Sequence, residues 1–444
     1  MKDVLILNAR IVSDGHITEG DLLISDGRIE QVGGDLGFRT ADLVMDVEGK
    51  VVLPGMIDDQ VHFRDPGAPH KADMHTESRA AVAGGITSFM DMPNTNPLTV
   101  TRDALEQKYS LAAEKSLANY AFYMGATNDN IDHIRALDPK LACGVKVFMG
   151  ASTGNMLVDR EEVLEAIFRD SPVLVATHCE DTPMILANEQ AYREKYGADV
   201  PMQYHPQIRS EEACYRSSSF AIGLARRHDT RLHVLHLTTA RELEQFDTSP
   251  LGFKRITAEA CVHHLYFDES DYDLKGTFIK CNPAIKTRED REAIRRAVID
   301  GRIDVIGTDH APHTLDEKLN TYFDAPAGLP LVQHALPMLL ELYFEGQFSL
   351  ELIAEKTAHA PARLFNVAER GHIQEGYWAD LTVVDLDKRY RVEREDVLYK
   401  CGWSPLEGRI FRAAVETTFV NGHRVYHQGA FDESAKGQRL IFDR

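Results

Sequence analysis

Residues 54–67 read Pro54-Gly55-Met56-Ile57-Asp58-Asp59-Gln60-Val61-His62-Phe63-Arg64-Asp65-Pro66-Gly67. The run 57–62 has the length and apolar content of a short strand, and it ends on polar side chains able to do chemistry. Because strand side chains repeat every two residues, Gln60 and His62 should share one face, with Asp59 on the other unless the backbone bulges. Short apolar segments of the same kind recur at 86–92, 120–125, 144–148, 173–178, 232–236, 255–258 and 303–308. Helix-like stretches such as 102–117 and 160–168 lie between them. That alternation is the pattern of repeated βα units. Eight segments suggest an α/β fold closed as a (β/α)8 barrel, although an open doubly wound sheet satisfies the same pattern.

Further out, the texture changes. Residues 4–6 and 22–24 alternate with turns at Asp14-Gly15 and Asp26-Gly27, and similar short strands return at 380–384, 413–419 and 425–426 around Asn421-Gly422. Both chain ends therefore predict a small β domain built jointly from 1–55 and 366–444, bracketing a barrel over 56–365. The stretch 187–210, rich in Tyr, Gln and Pro, reads as an irregular surface excursion.

Composition narrows the function classes. The 444 residues carry 69 acidic against 49 basic side chains, a formal charge of −20, which argues against a general nucleic-acid surface. No long uncharged apolar run of membrane-spanning length occurs, and the start lacks the pattern of a signal peptide. Cys143, Cys179, Cys214, Cys261, Cys281 and Cys401 form no close CxxC pair, so free thiols in a reducing, cytoplasmic setting are expected.

The chemistry collects at one place in this scheme. His62, Lys146, His178, His236 and Asp309 all fall within or just beyond the C-terminal ends of the expected strands, which meet at one mouth of a barrel. Imidazole nitrogens and carboxylate oxygens suit zinc and related divalent ions. Histidines satisfying local hydrogen bonds give the same spacing, and position alone leaves both readings open.

The stretch 54–67 resembles the opening barrel motif of dihydroorotases, in the cyclic amidohydrolase superfamily. The resemblance continues through Met92-Pro93-Asn94-Thr95, Gly144-Val145-Lys146-Val147-Phe148, Thr177-His178-Cys179-Glu180 and Leu235-His236-Leu237-Thr238. It extends over residues 257–264, Asn282-Pro283 and Thr308-Asp309-His310-Ala311-Pro312-His313. It implies a distorted TIM barrel with a small β-sandwich from both chain ends, and a homo-oligomer of unfixed order. It further implies one or two divalent ions, zinc by preference. Lys146, carboxylated by carbon dioxide, would bridge His178 and His236 on one side and His62 and Asp309 on the other. An ammonium has no lone pair to give, whereas a carbamate supplies anionic oxygens to two cations.

The implied reaction is the reversible interconversion of N-carbamoyl-L-aspartate and L-dihydroorotate in pyrimidine synthesis. Asp309 would move the proton, and Arg64, Asn94, His313 and Asn282 would bind the small-molecule substrate. A guanidinium fork matches a carboxylate, and dihydroorotate carries one outside its ring. The motif departs from the family at Gln60, where a histidine is usual. A neutral amide oxygen is a weaker zinc ligand than imidazole, so Gln60 either binds a metal weakly or orients water. That departure keeps two alternatives in view: another cyclic amidohydrolase of hydantoinase or allantoinase type, and a noncatalytic assembly subunit.

Two further segments invite a reading. Residues 315–329, with Tyr322, Phe323, Pro326 and Gly328, have the composition of a loop that closes over a polar substrate or packs as a fixed wall. His263 and His264, taken as strand neighbours, should point in opposite directions.

Overall fold

The computed structural model describes residues 2–150 and 156–444. Eight segments form the barrel: Met56–Val61, Ile86–Asp91, Asn119–Phe122 continued by Met124–Gly125, Val145–Phe148, Val175–His178, Leu232–Val234, Ile256–Cys261 and Val305–Gly307. Each of the eight expected segments overlaps one of them. Successive strands pair in parallel. The third is interrupted at Tyr123, whose N–H turns to the Asp91 carbonyl at 3.2 Å before Met124 resumes toward Gly144. The ring closes where the His62 N–H donates to the His310 carbonyl at 2.7 Å and Val61 bridges His310 in parallel. Closure decides against the open sheet.

The sequence favours these strands because their residues are buried on both faces, as parallel strands covered by helices must be. The helices start on side-chain caps. Asp73 accepts from the backbone of His75 and Thr76 ahead of Met74–Ala83, and Thr101, Ser210 and Thr287 each cap a later helix. The expected helices at 102–117 and 160–168 appear as Arg102–Lys115 and Glu161–Asp170.

Both chain ends meet in one hydrogen-bonded sheet of nine strands. Val51–Pro54, leading into the barrel, lies antiparallel to Leu381–Asp385, which follows it, so the two terminal β segments form a single continuous sheet. A buried polar hub fastens that sheet to the barrel. Asp380 pairs with Arg370, both side chains only 3% exposed, and accepts hydrogen bonds from the Asn119 amide and the Asn421 N–H. Removing one partner strands the other charge in a dry site, which typically costs about 3–5 kcal/mol. Asp380→Ala is therefore expected to lower the urea midpoint of unfolding markedly; a midpoint equal to wild type would contradict the role given to this hub.

No helix among the described residues is long and apolar enough to cross a membrane. All six cysteines are free and buried.

Candidate active site

The strand ends bring His62, Lys146, His178, His236 and Asp309 to the same mouth. His178 closes the fifth strand, Lys146 sits inside the fourth, and His236 and Asp309 lie two residues past the sixth and eighth. Arg64, His236 and Asp309 adopt left-handed backbone conformations, with φ of 61°, 41° and 46°. Non-glycine residues seldom tolerate this region, and such strain persists where surrounding structure over-determines the geometry. Three of the expected site residues are thus held off the regular strand path, which redirects their side chains toward the mouth.

On one side, Gln60 and His62 share a face, as the two-residue period requires, and converge on the same oxygen of Asp309. The Gln60 amide donates to Asp309 Oδ1 at 3.1 Å, and His62 Nε2 lies 3.1 Å from that atom. His62 Nδ1 faces Asn94 Oδ1 at 2.9 Å; since the amide oxygen only accepts, the imidazole N–H is there. Nε2 and the carboxylate oxygen then oppose each other, and a proton or a metal ion must lie between them. Burial opposes ionisation of Asp309, but His62 with His263 and Lys146 outweighs it and holds the carboxyl below its usual range.

On the other side, His178 Nε2 donates to Glu180 Oε2 at 2.9 Å, leaving the lone pair on Nδ1. That lone pair is 3.0 Å from His236 Nε2, with the two rings nearly perpendicular at 80°. His236 Nδ1 has no hydrogen-bond partner. Burial presses both histidines toward the neutral, ligand-competent form. Between the two sides lies Lys146, 0% exposed, its Nζ without a hydrogen-bond partner, and its pKa drawn down by burial to about 8. Converging electron pairs around an unpartnered buried amine fit a divalent ion held by imidazole and carboxylate donors. Among the described residues, two buried groups offer further ligand atoms within 4.8 Å of one another: Cys261 with His263 and His264, and Asp59 with His233 and Glu259. Gly307 makes room for the second group, since a Cβ there would sit 2.2 Å from Glu259 Oε1.

Arg64 stands beside this centre. Its Nε donates to the Pro312 carbonyl at 3.1 Å and its Nη2 is 3.1 Å from His313 Nε2. Arg64, Asn94 and His313 line a cavity of about 360 Å³ with Lys71, Asn96 and Pro326. Asn282, also expected at the site, leaves its amide oxygen buried without a partner.

Two expectations need correction, and a third segment follows one of the two readings left open for it. The stretch 187–210 is largely ordered as the helix Thr182–Tyr196 and the short helix His205–Ile208, because Asp181 caps the former and Val200, Ile208 and Tyr322 build a small core around the latter. It also delivers Arg209 to Glu180, whose carboxyl is held at about 2 because the nearby guanidinium outweighs burial. His263 and His264 are not strand neighbours: the strand ends at Cys261, and both lie in the helix Val262–Tyr266 with ring centroids 4.0 Å apart. The segment 315–329 is a fixed wall. Lys318 Nζ donates to the Pro326 and Gly328 carbonyls at 2.9 and 3.0 Å, and Lys280 Nζ donates to Ala325 at 2.7 Å.

Glu180 was within reach of sequence reasoning, since it lies two residues from His178. Arg209 and Lys71 carried no signal, because one arrives from a distant helix and the other from a loop.

Residues 51–425 match the model of the Amidohydrolase family. The chain is 36% identical over 412 residues to a dihydroorotase of Halobacterium salinarum, covering 90% of this chain and 93% of that protein. It is 30% identical over 449 residues to an allantoinase of Solibacter usitatus, covering 99% and 97%. Among solved structures it is similar to the L-hydantoinase (dihydropyrimidinase) of Arthrobacter aurescens, with a TM-score of 0.93 at 27% identity over 99% of this chain and 100% of that one. With this match, the closed barrel and the buried groups of side chains able to hold a metal, the chain belongs to the Amidohydrolase family and is a metal-dependent hydrolase.

Proposed function

We propose that this hydrolase opens and closes a cyclic amide, with L-dihydroorotate and N-carbamoyl-L-aspartate as its substrate pair and the cytoplasm as its setting. The observation carrying the choice is Arg64: a partly buried guanidinium beside the metal-ligand cluster that forms no ion pair among the described residues. Such a group calls for an anionic partner, and dihydroorotate brings a carboxylate where hydantoin and allantoin bring none. The abundance of dihydroorotases among the relatives points the same way.

His178 and His236 would hold one ion, preferably zinc, and His62 and Asp309 a second, with carboxylated Lys146 between them. When bound, the ions would lower the pKa of water and stabilise negative charge developing on the amide oxygen. Asp309 accepts a proton from the attacking water and returns it to the departing ring nitrogen. Asn94 fixes His62 in the tautomer that turns Nε2 inward, and the unpartnered Asn282 oxygen can accept a ring N–H.

Purified protein should interconvert the pair in both directions, faster than it hydrolyses hydantoin or allantoin, and should contain divalent metal. Preference for hydantoin would favour the reading suggested by the structural likeness to L-hydantoinase. A folded, metal-loaded sample without turnover would leave the noncatalytic reading.

Gln60 presents its amide nitrogen, not its oxygen, to Asp309, so a ligand role requires the amide to turn over. As a donor it stabilises Asp309 without occupying a metal. Gln60→His should therefore raise metal occupancy on the His62 side, read as more metal per chain by elemental analysis and tighter binding in a chelator competition. Unchanged stoichiometry and affinity would show that Gln60 already serves as a full ligand.

A further inference from the structure

We propose that Lys71 is a positioning residue that fixes the tautomer of His313 and thereby leaves the Arg64 guanidinium available to an anionic group of the ligand. The proposal rests on the carboxylate-recognition reading above and extends it to a residue outside the motifs.

His313 is buried, and three groups compete for its two ring nitrogens. Lys71 Nζ lies 3.1 Å from Nδ1, whereas Nε2 lies 3.1 Å from Arg64 Nη2 and 3.0 Å from the Ala327 carbonyl. Burial, reinforced by the charges of Arg64 and Lys71, keeps the ring neutral, with one proton and one lone pair. Ammonium and guanidinium groups only donate, so at most one of the two cations can bond to this ring.

The distances decide which. A proton on Nδ1 would face the Lys71 ammonium, and its nearest carboxylate, Glu317 Oε2, is 3.8 Å away, beyond hydrogen-bonding range. A proton on Nε2 donates to the Ala327 carbonyl, and Nδ1 then accepts from Lys71. Glu317 holds the ammonium in place at 2.7 Å, and the Trp403 indole fixes the His313 carbonyl at 2.7 Å. In this arrangement Arg64 Nη2 faces an N–H rather than a lone pair. The Nη2 donors then remain unspent, while Nε keeps its bond to Pro312, beside the cavity of about 360 Å³ that Arg64, Lys71, Asn94 and His313 line.

Without the ammonium, the ring is free to move its proton to Nδ1. Nε2 would then accept from Arg64, and a ligand carboxylate would have to break that internal bond first. The consequence falls on binding more than on chemistry, so KM rises while kcat holds.

The test uses the full-length, metal-loaded protein labelled with 15N-histidine, the His313 resonances being assigned by their loss in His313→Gln. Wild type should show His313 protonated at Nε2, with Nδ1 in the range of a hydrogen-bonded acceptor. Lys71→Met should move the proton to Nδ1, and Lys71→Arg should retain the wild-type tautomer. With dihydroorotate, Lys71→Met should raise KM on the order of tenfold, the loss of one charge-assisted arrangement, with kcat changed by less than about twofold. The remaining histidine signals report whether the variant is folded. A wild-type ring protonated at Nδ1, or a tautomer indifferent to Lys71→Met, would overturn the proposal, as would a tautomer change with unaltered KM. The spectra need no turnover, so the expected tautomers in a protein that ignores dihydroorotate would sink the substrate reading alone.

Discussion

Lys146→Ala should reduce kcat/KM on the order of a thousandfold or more and strip most of the bound metal. Lys146 lies at the barrel mouth with His62, His178, His236 and Asp309, fully buried, with an amine that has no hydrogen-bond partner. As an ammonium it would repel cations from its neighbours. As a carbamate it would place two anionic oxygens between His178 and His236 on one side and His62 and Asp309 on the other. Burial already favours the neutral amine by drawing its pKa to about 8, and the neutral amine is the form whose lone pair attacks carbon dioxide. Loss of metal-assisted charge stabilisation is worth several kcal/mol, and each 1.36 kcal/mol is tenfold in rate. Propionate or another short carboxylate should partly restore both metal and turnover to Lys146→Ala by supplying the missing oxygens. Full activity of metal-loaded protein kept free of carbon dioxide would rule the carbamate out.

Arg64→Met should separate recognition from chemistry. Truncating one partner of a desolvated charge pair costs about 2–5 kcal/mol, which converts to roughly 30- to 5000-fold in kcat/KM for dihydroorotate. The ring-opening groups are untouched by this change. Calorimetric affinity for dihydrouracil, which lacks the carboxylate, should therefore shift less than about tenfold. Equal losses for both ligands would mean that Arg64 supports the site's architecture through its Pro312 contact instead of reading the substrate.

The sequence made the barrel legible because its strands are apolar runs buried on both faces, and a run such as Ile86–Asp91 has few other stable fates. It made the gathering of His62, Lys146, His178, His236 and Asp309 legible because residues at the ends of such runs meet at one mouth of a barrel. Closure was not legible from the pattern alone, since it depends on the His310 carbonyl meeting the His62 N–H across more than half of the chain. Nor were the left-handed turns at His236 and Asp309, which tertiary contacts impose on residues that would not choose them. The reading of His263 and His264 failed over a single boundary: one residue decides whether neighbours alternate across a strand or stack along a helix. Arg209 and Lys71 act through spatial neighbours far away in sequence, for which a periodic pattern has no term.

The shared sheet also sets an order of events during synthesis. Val51–Pro54 finds its antiparallel partner only when Leu381–Asp385 has been made. At ribosomal speeds of about 5–20 residues per second, the intervening 326 residues take roughly 16 to 65 s. Throughout that interval the nascent chain carries an open strand edge, the surface through which β proteins most readily pair with the wrong neighbour.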